Sequence, residues 1–213
     1  MPGWTGEWLV FVGVMALGQF SPGPDMLLLT RTALASGRKS GCWTAIGIAC
    51  GLAFHAAIAV TGVATLLEKG GWISTTLKCI AAAYLIWLAI QLIRSGLKAG
   101  SLKVGKSTTV SDTSFANWKR GLLCNLLNPK VAVFLAGVTA PFLVIGDAPD
   151  RWPLMLWATI VLEGIVLWCV WVFLLQARII RECYLKAAHW FDLAFGVALL
   201  GVAAVLVFTS YTT

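Results

Sequence analysis

Charged residues are scarce in this chain of 213 residues, where Asp, Glu, Lys and Arg together make up 12%. Soluble globular domains carry roughly 25% charged residues and are about 45–50% apolar. Here 59% of the residues are hydrophobic, and the mean hydropathy is +0.86. This composition excludes an ordinary soluble protein. It predicts an all-α membrane protein with several transmembrane helices, organised as one integral membrane domain over residues 1–213.

Sequence motifs of enzymes and metal sites are also absent. The chain contains no G-x-S-x-G or H-E-x-x-H motif, and no acidic cluster offers a divalent cation several oxygen ligands. The six cysteines form no C-x-x-C pair and no histidine cluster accompanies them, so we interpret them as small buried residues. We therefore expect neither an enzyme nor a bound metal or cofactor.

Basic residues outnumber acidic ones, which gives a formal net charge of +7, yet their placement argues against nucleic-acid binding. Twelve of the 16 Lys and Arg residues lie in three alternate connections between apolar segments. Cytoplasmic loops of membrane proteins are enriched in Lys and Arg. We therefore predict that the first, third and fifth loops are cytoplasmic, including a long linker at about 94–120. Both termini are then predicted to lie outside.

Six apolar segments are each long enough to cross a bilayer as a helix, which needs about 20 residues. They cover residues 8–32, 41–67, 72–93, 121–145, 152–176 and 190–211. The long linker divides them into two halves of three segments. The first segment of one half runs inward and that of the other runs outward, so we predict that the halves form an inverted repeat.

The first segment of each half contains a predicted helix break. The motif S-P-G-P-D at residues 21–25 places two prolines and a glycine before a carboxylate, and Asn128-Pro129-Lys130 lies in the fourth segment. Proline lacks a backbone N–H and breaks helical hydrogen bonding. Inside lipid, irregular backbone and charge survive only where protein or a water-filled cavity covers them. Interrupted helices at corresponding positions of two halves are the best sequence indicator of a transporter's binding site.

We therefore predict that the broken helices 1 and 4 meet near mid-membrane around a hydrated pocket for a small zwitterion. The predicted substrate-binding residues are Pro22, Gly23, Pro24, Asp25, Asn125, Asn128, Pro129 and Lys130. Asp25 either contacts the substrate ammonium group or carries a proton, or it caps the helix that resumes after Pro24. Lys130 either binds a carboxylate or forms a structural ion pair with Asp25.

Two further ionisable residues lie within apolar segments and join Asp25 as candidates for proton coupling. Glu163 has no residue beside it in the sequence that would neutralise it. It is interpreted either as a protonated structural carboxyl group or as a proton carrier. His55 can titrate near neutral pH, although a lone histidine on an apolar helix is more often a packing residue.

Several motifs together resemble those of the lysine exporter and homoserine/threonine exporter family. They are S-P-G-P-D at 21–25, Gly-Arg-Lys-Ser-Gly at 37–41, the run from Gly47 to Gly51, and the run from Asn125 to Lys130. Glu163 and the stretch 184–192 are similar to the threonine-exporter branch. The resemblance implies efflux of small amino acids from the bacterial cytoplasm across the inner membrane, driven by the proton gradient.

The expected function is therefore secondary-active export of an amino acid similar to threonine or homoserine, by proton antiport and alternating access. The alternatives are a lysine-like or leucine-like substrate, or a passive channel for small solutes. The expected partners are the amino-acid substrate, protons and the lipid bilayer, with no nucleic acid. Whether two copies form a homodimer is left open.

Overall fold

The computed structural model describes residues 3–21, 23–68, 71–97, 113–146 and 148–211. Within these ranges every regular element is a helix, and no strand occurs. The elements are α1 (Gly3–Phe20), α2 (Pro24–Glu68), α3 (Gly71–Leu97), α4 (Ser114–Leu126), α5 (Pro129–Phe142), α6 (Trp152–Leu174) and α7 (Arg178–Tyr211). The prediction of an all-helical protein is therefore confirmed.

Two helices in the described ranges are long and apolar enough to cross a membrane, namely Pro24–Gly62 within α2 and the whole of α6. The pair formed by α4 and α5 is bent by 60° and makes a third candidate, a broken span. Shorter apolar stretches lie within α3 and α7, over Ala82–Arg94 and Leu193–Ala204. The six-span arrangement and the inverted repeat stay predictions.

The first helix break lies between α1 and α2. α1 ends at Phe20, and its last turn is closed by a hydrogen bond from Ser21 N to the carbonyl of Gly18 at 3.3 Å. α2 begins at Pro24, as expected for a residue that is tolerated in a helix's first turn. Pro22 lies outside the described residues.

The second helix break lies between α4 and α5. α4 ends at Leu126, and α5 begins at Pro129. Asn128 is the N-cap of α5, because its Oδ1 accepts a hydrogen bond from Lys130 N at 3.2 Å. Both breaks therefore occur at the proline motifs that the sequence analysis identified.

The long connection is shorter at both ends than the predicted linker at 94–120. α3 continues to Leu97 and α4 begins at Ser114. The earlier start of α4 has a local cause, since Thr113 Oγ1 caps the helix by accepting a backbone hydrogen bond from its first turn at 3.3 Å. Residues 98–112 lie outside the described ranges.

α2 and α7 both extend beyond the predicted segments. α2 runs from the first segment into the second with one non-helical residue inside it, Gly37, at φ 78° and ψ −174°. Glycine reaches positive φ without a steric penalty, so the chain kinks there. α7 begins at Arg178, whose side chain pairs with Glu182 at 2.7 Å. The predicted sixth segment at 190–211 is therefore the C-terminal part of a longer helix.

α2 contacts α3, α4, α5 and α6, and its contact with α4 depends on glycine. A Cβ at Gly47 would collide with the backbone carbonyl of Trp118, and one at Gly121 would collide with that of Thr44. Small residues let two helix backbones approach closely. This approach brings the end of α4, and with it the second break, beside the first.

Candidate substrate-binding site

A cavity of about 60 Å³ lies where the two helix breaks meet. A water molecule needs roughly 10–15 Å³ of such a volume, so the cavity can hold a few waters. Its polar lining consists of Gln19, Ser21, Asp25, Asn125, Asn128 and Lys130. Its apolar lining includes Met15, Met26, Leu52, Val131, Phe134, Trp168 and Phe195.

Asp25 lies in the first turn of α2 and bonds to the second break. Its Oδ2 accepts hydrogen bonds from Nδ2 of Asn125 at 2.8 Å and from Nδ2 of Asn128 at 3.2 Å. Hydrogen bonds to a carboxylate are stronger than those between neutral groups. The carboxylate therefore joins the two breaks to each other and does more than cap its own helix.

The second oxygen of Asp25 has a different environment. Its Oδ1 is buried and has no hydrogen-bond partner within the described residues, and the same is true of Asn125 Oδ1. Asn125 Oδ1 lies beside Gly51, where a Cβ would come within 2.8 Å of it. A buried acceptor without a partner costs about 1–3 kcal/mol. The acceptors at the break thus suit a ligand that brings several N–H donors.

Lys130 brings a positive charge to the same cavity. Its Nζ donates a hydrogen bond to Ser21 Oγ at 3.0 Å, and its charge attracts the Asp25 carboxylate. A Cβ at Gly23 would lie 3.7 Å from Nζ, so the ammonium group reaches across to the first break. One cavity thus holds a cation from α5 and an anion from α2, which is the charge pattern that complements a zwitterion.

His55 lies beside the site and contacts its backbone. Its Nε2 is 3.2 Å from the carbonyl oxygen of Asn125. Pro129 has no N–H to give this carbonyl its usual helical hydrogen bond. A carbonyl only accepts, so the histidine ring donates. The cavity lining does not include His55, and its contact is the one expected of a residue that stabilises the helix break.

Glu163 does not share the cavity with Asp25. It lines a separate groove between α1 and α6, together with Trp8, Val12, Met155 and Leu162. Both of its carboxyl oxygens are buried without a hydrogen-bond partner in the described part of the chain. The structure therefore separates two residues that the sequence analysis grouped as proton-coupling candidates.

The structure brings together five of the eight predicted binding residues, namely Gly23, Asp25, Asn125, Asn128 and Lys130. Pro24 is exposed at the start of α2, and Pro129 forms the first residue of α5. Pro22 lies outside the described residues.

The sequence analysis missed the contribution of α1 and α6 to the cavity. Gln19 is 7% exposed and lines it, and its backbone carbonyl accepts a hydrogen bond from Trp168 Nε1 at 3.4 Å. One signal was available, because an amide side chain within an apolar helix must find polar contacts or destabilise the fold. For Trp168 no sequence signal distinguishes it from the other tryptophans of the apolar segments.

Proteins with similar sequences are membrane transporters or uncharacterized membrane proteins. The chain is 30% identical to the threonine efflux protein of Escherichia coli K12 over 187 residues, which cover 86% of this chain and 88% of that protein. The threonine efflux protein of Salmonella typhi gives the same identity and coverage. The uncharacterized membrane protein YahN of Escherichia coli K12 is 31% identical over 201 residues, 91% of this chain and 85% of that one.

No solved structure shows a significant match to this chain. The model of one protein family, described as the LysE type translocator, matches residues 16–210. This range includes both helix breaks and nearly all of the residues that line the cavity. The chain therefore belongs to the LysE type translocator family, and it is a transporter and not an enzyme.

Proposed function

We propose that this chain exports small amino acids similar to threonine or homoserine from the bacterial cytoplasm. The observation that carries the proposal is that Asp25 and Lys130 both line one cavity between two helix breaks. The family membership and the names of the threonine efflux relatives support the same substrate class.

In this proposal the substrate bridges the two charges. Its ammonium group binds Oδ1 of Asp25, which has no partner among the described residues. Its carboxylate binds Nζ of Lys130, which donates a hydrogen bond to Ser21 Oγ in the structure. The amides of Asn125 and Asn128 hold the other oxygen of Asp25, so the carboxylate is oriented before the substrate arrives. Moving a substrate from this cavity to the other side of the membrane would require helix movement, as in alternating access.

Proton antiport follows from competition at Asp25. A proton on its carboxyl group and a substrate ammonium group cannot use the same negative charge. Protonation from the outside would release the substrate there, and loss of that proton to the cytoplasm would prepare the site for the next substrate. Asp25 is the preferred coupling residue of the three candidates, because neither Glu163 nor His55 is among the residues that line the cavity.

The membrane arrangement belongs to the same proposal. The chain would form a single domain of six spans in the bacterial inner membrane, with both termini outside and two halves related as an inverted repeat. One broken helix in each half supports this arrangement. A homodimer is compatible with it.

Reconstituted transport tests the proposal. Proteoliposomes loaded with unlabelled threonine should take up labelled threonine by counterflow, with saturation. An acidic lumen should drive accumulation, because protons leave as threonine enters. A panel containing lysine and leucine checks the substrate class. Flux that neither saturates nor responds to internal substrate would indicate a channel, and absence of flux for every amino acid would overturn the proposal.

A matched pair of lysine variants links the transport to the cavity. Lys130→Met removes a cation of the cavity that would bind the substrate carboxylate. It should reduce threonine counterflow about hundredfold, since losing one partner of a hydrogen-bonded charge pair costs about 2–5 kcal/mol. Lys119→Met changes an exposed lysine on α4 and should leave counterflow within about twofold of wild type, as surface charges usually contribute little. Equal activity of the two variants would remove Lys130 from the binding site.

A further inference from the structure

Gln19 is a buried amide side chain that the proposed mechanism does not use. It lies one residue before the end of α1, is 7% exposed, and lines the cavity together with Asp25. Both of its polar side-chain atoms, Nε2 and Oε1, lack a hydrogen-bond partner among the described residues. A buried amide without hydrogen bonds is rare in folded proteins, and it calls for a ligand or water to complete it.

The cavity lies beside this amide, because Gln19 is one of the residues that line it. Oε1 lies next to Gly164 of α6, where a Cβ would come within 3.5 Å of it. The backbone of Gln19 is held separately, because its carbonyl accepts the hydrogen bond from Trp168 Nε1 at 3.4 Å. The position of Gln19 is therefore maintained by its main chain, and its side-chain amide is left to bind something else.

The chemistry of the amide indicates which part of a substrate it would contact. In the proposed function, Asp25 binds the ammonium group and Lys130 binds the carboxylate, so the charged ends of an amino acid are already matched. A hydroxyl group both donates and accepts a hydrogen bond, and an amide supplies both complements. The nearby side chains of Met15, Leu52 and Phe134 are apolar and would pack against a short aliphatic chain.

We propose that Gln19 binds the side-chain hydroxyl of the substrate and thereby makes the transporter selective for small hydroxylated amino acids. This inference rests on the proposed export function and adds a residue that determines specificity. Sites built to bond a hydroxyl discriminate strongly against analogues that lack it, because their own polar groups then stay unpaired. Valine has the shape of threonine with a methyl group in place of the hydroxyl. Comparing threonine with valine therefore tests the contact between Gln19 and the substrate hydroxyl.

The test compares threonine and valine as substrates of the wild type and of Gln19→Met in proteoliposomes. Methionine is close to glutamine in size and has no amide. The wild type should bind threonine more tightly than valine, and the variant should lower this preference about tenfold. Gln176→Leu is the control, because Gln176 is exposed near the end of α6 and bonds Val172 and Ala33 outside the cavity. It should keep the wild-type ratio.

Gln19→Leu provides a second apolar replacement if Gln19→Met does not insert or purify as a folded protein. A threonine-to-valine ratio that stays at the wild-type value, or equal losses for both substrates, would overturn the role of Gln19 while leaving export intact. Failure of the wild type to exchange any amino acid would overturn the export proposal and this inference with it. The two failures are therefore distinguishable in one experiment.

Discussion

Asp25 and Glu163 are both carboxyl groups among apolar helices, and their surroundings differ. Asp25 accepts two amide hydrogen bonds, shares a cavity with Lys130 and connects two helix breaks. Glu163 lies in a groove between α1 and α6, and neither of its oxygens has a hydrogen-bond partner in the described ranges. In the sequence both residues are carboxyl groups within apolar segments, and only the contacts in the structure distinguish them.

The difference concerns how each carboxyl group is compensated. A buried charge is tolerated when it is paired and hydrogen-bonded, and an uncompensated one is expensive. Two amides bond one oxygen of Asp25, and in the proposed function a substrate ammonium group binds the other. The groove of Glu163 provides no such partners among the described residues, which argues against a role in substrate binding.

The largest expected effect comes from removing the charge of Asp25. Asp25→Asn keeps the size of the side chain but leaves the substrate ammonium group without an anion. Losing one partner of a hydrogen-bonded charge pair costs about 2–5 kcal/mol, so threonine counterflow should fall at least about thirtyfold. Reconstituted protein at matched amounts gives the measurement.

Asp150→Asn serves as the control for this variant. Asp150 is exposed in the connection before α6, so the same chemical change there should have little effect. If Asp25→Asn retained counterflow within about threefold of wild type, the contrast between the two carboxyl groups would have no functional meaning.

An intermediate effect is expected from crowding the amide that orients Asp25. A Cβ in Gly51→Ala would come within 2.8 Å of Asn125 Oδ1, which is closer than atoms pack without displacement. Asn125 would have to move and weaken its 2.8 Å hydrogen bond to Asp25. The threonine concentration for half-maximal counterflow should rise about tenfold, consistent with the loss of roughly one hydrogen bond to a charged group.

Gly62→Ala is the matched control on the same helix. Nothing lies within 4 Å of a Cβ at Gly62, and alanine is favoured over glycine in helices by about 1 kcal/mol. This variant should transport normally and unfold at the same temperature or a higher one. A normal half-saturation concentration in Gly51→Ala would show that the orientation of Asn125 does not matter for binding.

The sequence predicted the parts of this site that depend on local backbone chemistry. Proline lacks a backbone N–H and interrupts helical hydrogen bonding, so the two breaks were predicted at the S-P-G-P-D motif and at Asn128-Pro129. The polar residues beside the breaks were predicted to belong to a site because charged groups are costly in lipid. Because the two breaks were predicted to converge, Asp25, Asn125 and Lys130 were expected to lie at the same site.

The parts that sequence reasoning missed depend on how each helix is rotated in the packed structure. Successive residues of an α-helix point about 100° apart. Gly164 faces Gln19 and Leu52 beside the cavity, and Glu163, one residue earlier, faces the outer groove. An apolar helix such as α6 offers no polar face from which this rotation can be read. The rotation of α6 about its axis is set by tertiary packing, and this rotation places Glu163 apart from Asp25.

The smallest effect is expected at Glu163, because this residue lies outside the cavity that Asp25 lines. Glu163→Gln preserves the size of the side chain outside the cavity, so threonine counterflow should stay within about threefold of wild type, as is usual for substitutions away from a binding site. Accumulation driven by an acidic lumen should also persist, because the proposed coupling takes place at Asp25. Glu182→Gln, the same substitution at an exposed position on α7, is the control and should transport as the wild type does. If Glu163→Gln kept counterflow but lost the response to the pH gradient, proton coupling would belong to the groove and not to the cavity.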